Sequence, residues 1–269
     1  MKLRDRMWLW GHPEGCFNNN FANYGFHGTS RMTPAEFCYW FGIGKTFMVP
    51  MGFEVNRRAY NKSFSSLLEF GWECFGAFDA PEKIDTVLAE AKEFPNLTTT
   101  VFDDFVQQSD MRVKAGKPAV DPEDLLSIRR RLREEGERPL DMWMVLYTHE
   151  FGLNPEEDAG FMRFTAPFDG IIMWTWKESD VCLIPEKFEH FKKITPTCRR
   201  MFGCYLWNFG ESKEATVSAV IEQLDFYREK ILAGEAEGIV FHTNTMADAD
   251  LPAYEAARAW LKLHGDEEV

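Results

Sequence analysis

The sequence predicts an α/β fold, a (β/α)8 TIM barrel forming a single domain over residues 1–269. Three observations predict it. Short apolar runs alternate with capped helical segments along the whole chain, eight such units use up nearly all of its length, and the Gly-rich phosphate loop of an open doubly wound sheet is missing. Strict alternation implies parallel strands joined by right-handed crossovers, and eight of them close into a ring.

The first strand is Met7-Trp8-Leu9-Trp10, followed by a long loop, Gly11 to Ser30, expected to lie over the mouth of the barrel. Thr33-Pro34-Ala35-Glu36 opens the first helix as a capping box with proline at the first helical position. Thr46-Phe47-Met48-Val49 is the second strand, and Asn56 to Ser66 reads as a second loop. A third strand lies within Leu67 to Gly76. Pro81 then opens a helix through Ile84, Val87, Leu88 and Ala91, and Pro95 marks its end.

Strand four, Thr99-Thr100-Val101-Phe102, runs into Asp103-Asp104. Asp121-Pro122-Glu123-Asp124 caps the helix that carries Arg129 to Arg133, a run expected on a solvated face because Ile128 and Leu132 supply the apolar side. Trp143-Met144-Val145-Leu146 is strand five, and Asn154-Pro155 starts its helix. Strands six and seven are Gly170-Ile171-Ile172-Met173-Trp174 and Phe202-Gly203-Cys204-Tyr205-Leu206. A helix through Val217, Val220, Ile221 and Leu224 leads to strand eight, Gly238-Ile239-Val240-Phe241. Leu251-Pro252 opens the last helix, which ends near Leu263.

Composition narrows the function. With 45% hydrophobic residues and 15% aromatics the chain can bury a large core. A net charge of −13 argues against a nucleic-acid partner, since phosphate binding needs a basic surface. Cys16, Cys38, Cys74, Cys182, Cys198 and Cys204 form no CxxC pair, and are expected as small, unbridged core residues. No signal-peptide core and no membrane-length apolar run is present, so a soluble, cytoplasmic protein without a membrane partner is expected, a trimmed leader apart. No cofactor and no metal is expected, because no HExxH or comparable spacing gathers the histidines and acids.

Barrels carry their chemistry where strands end and loops begin. The strand ends deliver Trp10, His12 and Glu14; Trp72 and Glu73; Asp103 and Asp104; Tyr147, His149 and Glu150; Trp174 and Trp176; Trp207, Asn208 and Glu211; and His242 and Asn244. Aromatic faces suit the C–H faces of sugars, while carboxylates and amides bind hydroxyls, so a carbohydrate is the expected substrate. Two adjacent carboxylates in one pocket repel, which raises one pKa and separates a proton donor from a standing anion. Asp103 and Asp104 are therefore the candidate catalytic pair. Trp10, Glu14, Tyr147, Trp174, Trp176, Trp207, Asn208, Glu211 and Asn244 are the candidate binding residues.

Several of these strand ends together resemble the family 84 glycoside hydrolases, the O-GlcNAcase-like β-N-acetylglucosaminidases. Phe102-Asp103-Asp104 matches that family's double Asp after strand four, and Trp174-Thr175 the first two residues of its Trp-Thr-Gly. Trp207-Asn208 matches its strand-seven Trp with a nearby Asn, with Glu211 standing in for the following acid. Asn244-Thr245-Met246 is similar to its Asn-Pro-Met, and Tyr147-Thr148-His149-Glu150-Phe151 loosely to its Pro-Thr-Glu-Tyr. The family's strand-two lysine has no counterpart in Val49-Pro50-Met51-Gly52.

The resemblance implies substrate-assisted retaining hydrolysis of an N-acetylated sugar. Asp103 would orient the 2-acetamido group, Asp104 would act as acid and then base, Asn208 and Asn244 would bind the sugar, and Trp174 and Trp207 would wall the pocket. The alternatives are a glycan-binding barrel without catalysis, and a metal-dependent sugar isomerase or lyase built on the histidines and glutamates.

Overall fold

A computed structural model describes residues 1–269, the side chain of Ala22 excepted. Eight parallel strands form a closed ring: β1 (Met7–Gly11), β2 (Lys45–Met48), β3 (Glu69–Glu73), β4 (Leu97–Phe102), β5 (Asp141–Tyr147), β6 (Gly170–Trp174), β7 (Arg199–Tyr205) and β8 (Gly238–His242). Each pairs with its neighbours in sequence, and β8 returns to β1 with Met7 opposite Ile239 and Trp10 opposite His242. The ring is the (β/α)8 TIM barrel that the alternation predicts. Around it lie α1 (Pro34–Phe41), α2 (Arg57–Ser63), α3 (Glu82–Glu93), α4 (Phe105–Lys114), α5 (Pro122–Glu134), α6 (Pro155–Thr165), α7 (Ile184–Ile194), α8 (Val217–Leu232) and α9 (Pro252–His264).

Local chemistry sets the helix starts. Thr33 accepts from the Glu36 N–H while the Glu36 carboxylate accepts from the Thr33 N–H at 2.8 Å, the reciprocal cap expected there. The segment from Asn56 to Ser66, expected as a loop, is mostly helix α2. Asn56 caps it by accepting from the Ala59 N–H at 3.1 Å. A second unexpected helix, α4, follows Asp104 directly.

Alternation along each strand divides the core in two. Leu9, Phe70, Phe102, Phe202 and Phe241 face outward under the helices. Trp8, Trp10, Phe47, Val101, Trp143, Val145, Ile172, Trp174 and Val240 fill the interior. Each large aromatic removes roughly 150–250 Å² from water, worth on the order of 4–6 kcal/mol at about 25 cal/mol per Å². Room for two of the indoles comes from glycine. A Cβ on Gly170 would overlap the Trp143 ring, and one on Gly203 the Trp174 ring.

The arginine run of α5 is a correction. Arg129 and Arg133 are not simply solvated: both reach Asp169, at 2.9 and 2.5 Å, and its side chain is only 5% exposed. All six cysteines are free; five are buried and Cys182 is exposed. Among the described residues no helix is long and apolar enough to cross a membrane.

Candidate active site

The inward-facing register continues past the strand ends. Two residues beyond Gly71, Val101, Val145, Gly203 and Val240 come Glu73, Asp103, Tyr147, Tyr205 and His242, which surround the C-terminal mouth. By the same alternation Asp104 would point away from Asp103. It does not, because its backbone is left-handed (φ 43°, ψ 43°), a conformation that asparagine and aspartate tolerate best after glycine. Asp104 holds the N-cap position of α4, yet its carboxylate caps no helix N–H. It accepts instead from the Tyr147 hydroxyl at 2.7 Å. Tyr147 has one proton to give, so the 3.1 Å contact between the Tyr147 and Tyr205 hydroxyls has Tyr205 as donor.

Burial, the neighbouring charge of Asp104 and that of Glu73 push the Asp103 carboxyl well above the usual range. Burial also raises Asp104, while hydrogen bonds from Tyr147 and Asp103 hold it down. Both members of the pair therefore hold protons more strongly than free carboxyls, Asp103 the more so, while Tyr147 favours the charged form of Asp104. Glu73 is raised by burial as well, against a hydrogen bond from the Phe75 N–H and the nearby Lys83 and Arg57. Glu150 rises to about 7, chiefly by burial, although one of its oxygens accepts from the Tyr147 N–H at 2.8 Å.

Two cavities open beside Asp104. One, of about 930 Å³, is lined by Val49, Arg57, Glu73, Lys83, Asp103 and Asp104. The other, of about 460 Å³, is lined by Tyr24, Asp104, Lys114, Tyr147, Glu150 and Trp176. The Gly11 to Ser30 loop does lie over the mouth, with the Phe17 ring on His242 and Tyr24 edge-on to Trp176 and Phe209.

Of the strand-end residues read from sequence, Asp103, Asp104, Tyr147 and Trp176 come together here, with Glu73, His149 and Glu150 beside them. The other candidate binding residues do not reach these cavities, for identifiable reasons. Trp10 and Trp174 lie in the barrel interior, edge to face 5.6 Å apart. Trp207 is buried and donates its indole N–H to the Tyr24 carbonyl at 2.9 Å, which pins the covering loop. Asn208 donates to Glu211 at 2.7 Å, and Glu211, held down to about 2, also pairs with Lys213 at 2.9 Å. Asn244 spends its amide on the framework: it accepts from the His12 N–H and donates to the carbonyls of His12 and Met32. Glu14 accepts from the Tyr60 hydroxyl at 2.5 Å, beside a separate cavity of about 410 Å³.

The histidines form a pair at the same end. His12 donates through Nδ1 to the Val49 carbonyl at 2.8 Å, so its Nε2 is an acceptor, and the 3.2 Å contact to His242 Nε2 has His242 as donor. Burial lowers His12 to about 4, and burial with the neighbouring His12 holds His242 well below the ordinary imidazole range. Both ring faces toward each other are thus used up. Among the described residues no group of three or more His, Cys, Asp or Glu side chains is arranged to hold a metal ion.

Sequence reasoning passed over Tyr205 and Tyr24. Tyr205 was within reach, since Met201, Gly203 and Tyr205 share one face of β7. Tyr24 was not, because only the folded loop brings it to Asp104.

No protein-family model and no curated protein matches the chain. Solved structures do. Domain 2 of a thermostable chitinase from Pyrococcus furiosus, complexed with chito-oligosaccharides as active-site mutants, is 10% identical with a TM-score of 0.59, over 98% of this chain and 97% of that one. Tryptophan synthase from M. tuberculosis is 10% identical at a TM-score of 0.52, over 99% and 94%. The flavin-binding domain of baker's yeast flavocytochrome b2 is 8% identical at 0.51, over 97% and 63%. These likenesses show the fold. Three unrelated chemistries share it, so the site itself has to carry any functional reading.

Proposed function

We propose that the barrel is a glycoside hydrolase acting on an N-acetylated sugar by substrate-assisted retention, as its resemblance to the family 84 enzymes implies. One observation carries the reading: two adjacent carboxyls meet at the end of β4, burial raises the proton affinity of both, and a tyrosine hydroxyl fixes Asp104 at 2.7 Å.

The ionisation suggests how the work divides. Of the two, Asp103 is pushed up further, so a proton taken up by the unliganded pair goes first to Asp103. An acetamido N–H needs an anionic acceptor, and a leaving oxygen needs an acid. On binding, the proton crosses the hydrogen bond between the two carboxyls to Asp104. Asp103, now anionic, accepts the acetamido N–H, whose polarised carbonyl oxygen bonds to the anomeric carbon. The bond to the leaving oxygen breaks and takes up the Asp104 proton. Water then adds at the anomeric carbon and reopens the ring, returning a proton to Asp104. Tyr147 keeps the Asp104 carboxylate aimed throughout.

Hydrolysis of aryl β-N-acetylglucosaminide, β-N-acetylgalactosaminide and plain β-glucoside by the wild type and Asp104→Asn tests this. Cleavage confined to the acetamido sugars is expected, with a loss of about 10²-fold or more in the variant. Cleavage of plain glucosides would discard the acetamido route. A wild type inert toward all three, alongside measurable binding of an N-acetylated sugar, would favour a glycan-binding barrel.

A further inference from the structure

We infer that the smaller cavity is a built site for the sugar on the leaving-group side, so that the substrate is an oligosaccharide lying across Asp104. This rests on the glycosidase reading and extends it. Asp103 lines only the larger cavity, whereas Asp104 lines both. If Asp103 holds the acetamido group of the sugar being released, that sugar lies in the larger cavity. The leaving oxygen, at Asp104, then directs the rest of the molecule into the smaller one.

That space is equipped for a sugar. The rings of Tyr24 and Trp176 meet nearly at right angles (77°, 5.9 Å), forming an aromatic corner. His149 lies on Tyr147 at 5.4 Å and extends the apolar wall. The same cavity is lined by polar groups, Asp110 and Lys114 from α4 and Glu150 after β5. Glu150 has one oxygen committed to the Tyr147 N–H, leaving the other to meet a hydroxyl. At about 460 Å³ the space falls within the roughly 300–1,000 Å³ of small-molecule pockets. A barrel that removed a terminal sugar regardless of what bore it would need none of this on the leaving-group side.

The test compares kcat/KM for a chito-oligosaccharide trimer with that for methyl β-N-acetylglucosaminide, whose leaving group is too small to fill the aromatic corner, in the wild type, Trp176→Ala and Lys114→Ala. Lys114 is exposed on α4, so its variant preserves the fold if the indole variant does not. Each substitution is expected to lower the trimer value several-fold to about tenfold more than the methyl glycoside value, the size of one lost stacking or charged contact. Equal losses on both substrates would overturn the assignment. Calorimetry on Asp104→Asn separates the two readings. Binding of the trimer at least about tenfold tighter than the monosaccharide, lost in the double variant with Trp176→Ala, supports the site even if the wild type hydrolyses nothing. Equal affinities for trimer and monosaccharide would refute it.

Discussion

The left-handed backbone of Asp104 and the hydroxyl of Tyr147 together put a second carboxylate into a mouth that strand alternation would have given only one. Tyr147→Phe keeps the ring and removes the donor. Since that hydrogen bond favours the charged form of Asp104, its loss raises the proton affinity of the pair. The acid limb of the pH–rate profile should therefore move up by about one to two pH units, as expected for a bond of roughly 1.5–3 kcal/mol to a charged group. An unmoved limb would free the mechanism of Tyr147. Glu150 makes a separate, thermodynamic prediction. Its pKa rises from 4.5 to about 7 on folding, so the native state keeps a proton that the unfolded chain has released. Stability on this account falls as pH rises from 4.5 to 7 and stays reduced above. Glu150→Gln should be more stable than the wild type at pH 8, by up to about 3 kcal/mol in denaturant unfolding, and no different at pH 4. The acid pair was legible in the sequence, because two carboxylates after an apolar strand are conspicuous. That both face inward was not, because it depends on one positive φ.

Among the elements, α5 shows what periodicity can and cannot reveal. Its apolar side, Leu125, Ile128 and Leu132, is where the spacing puts it. The partner of its basic side lies on the approach to β6, some forty residues on, where no local pattern reports it. Asp169 accepts from Arg129, Arg133 and the Met142 N–H, and these hold its carboxyl below the ordinary range despite burial. Asp169→Ala should cost about 2–3 kcal/mol in urea unfolding, since the Met142 N–H loses its acceptor and two partly exposed guanidinium groups lose a charged partner. The sign with pH is fixed too. A depressed pKa gives stability that is full above the ordinary aspartate range and fades as pH falls through it, a slope the variant should lack. A loss under about 1 kcal/mol would mean the pair is merely a surface contact. Helices α2 and α4 escaped notice because each buries a single side chain and so shows no apolar stripe; the Asn56 cap was the one local sign of α2.

At the scale of the molecule the barrel was readable because eight apolar runs leave few other ways to bury their faces. Height within the barrel was not readable. Trp174 ends β6 directly beside Tyr147 at the end of β5, and Trp10 lies one residue before the end of β1, yet both indoles are buried in the interior while Tyr147 reaches the mouth. The interior indoles depend on missing side chains across from them. Gly203→Ala should destabilise the fold by about 1–3 kcal/mol and alter the near-UV circular dichroism of the tryptophans. An unchanged spectrum and midpoint would mean that Trp174 does not lie against β7.

The ring closes between its first strand and its last. β1 meets β8 across more than two hundred residues of intervening chain, and the seam is sewn at its upper end by Asn244 and His242 on His12. As the polypeptide leaves the ribosome, every strand bearing a wall of the two cavities is made before residues 238–242 exist. The edge of β1 that β8 will cover, and the far edge of β7, stand open for that whole interval. Enclosure thus waits on a strand made after every other strand of the ring. A nascent chain halted just short of β8 would hold all the carboxylates of the mouth on a sheet still free to join a stranger.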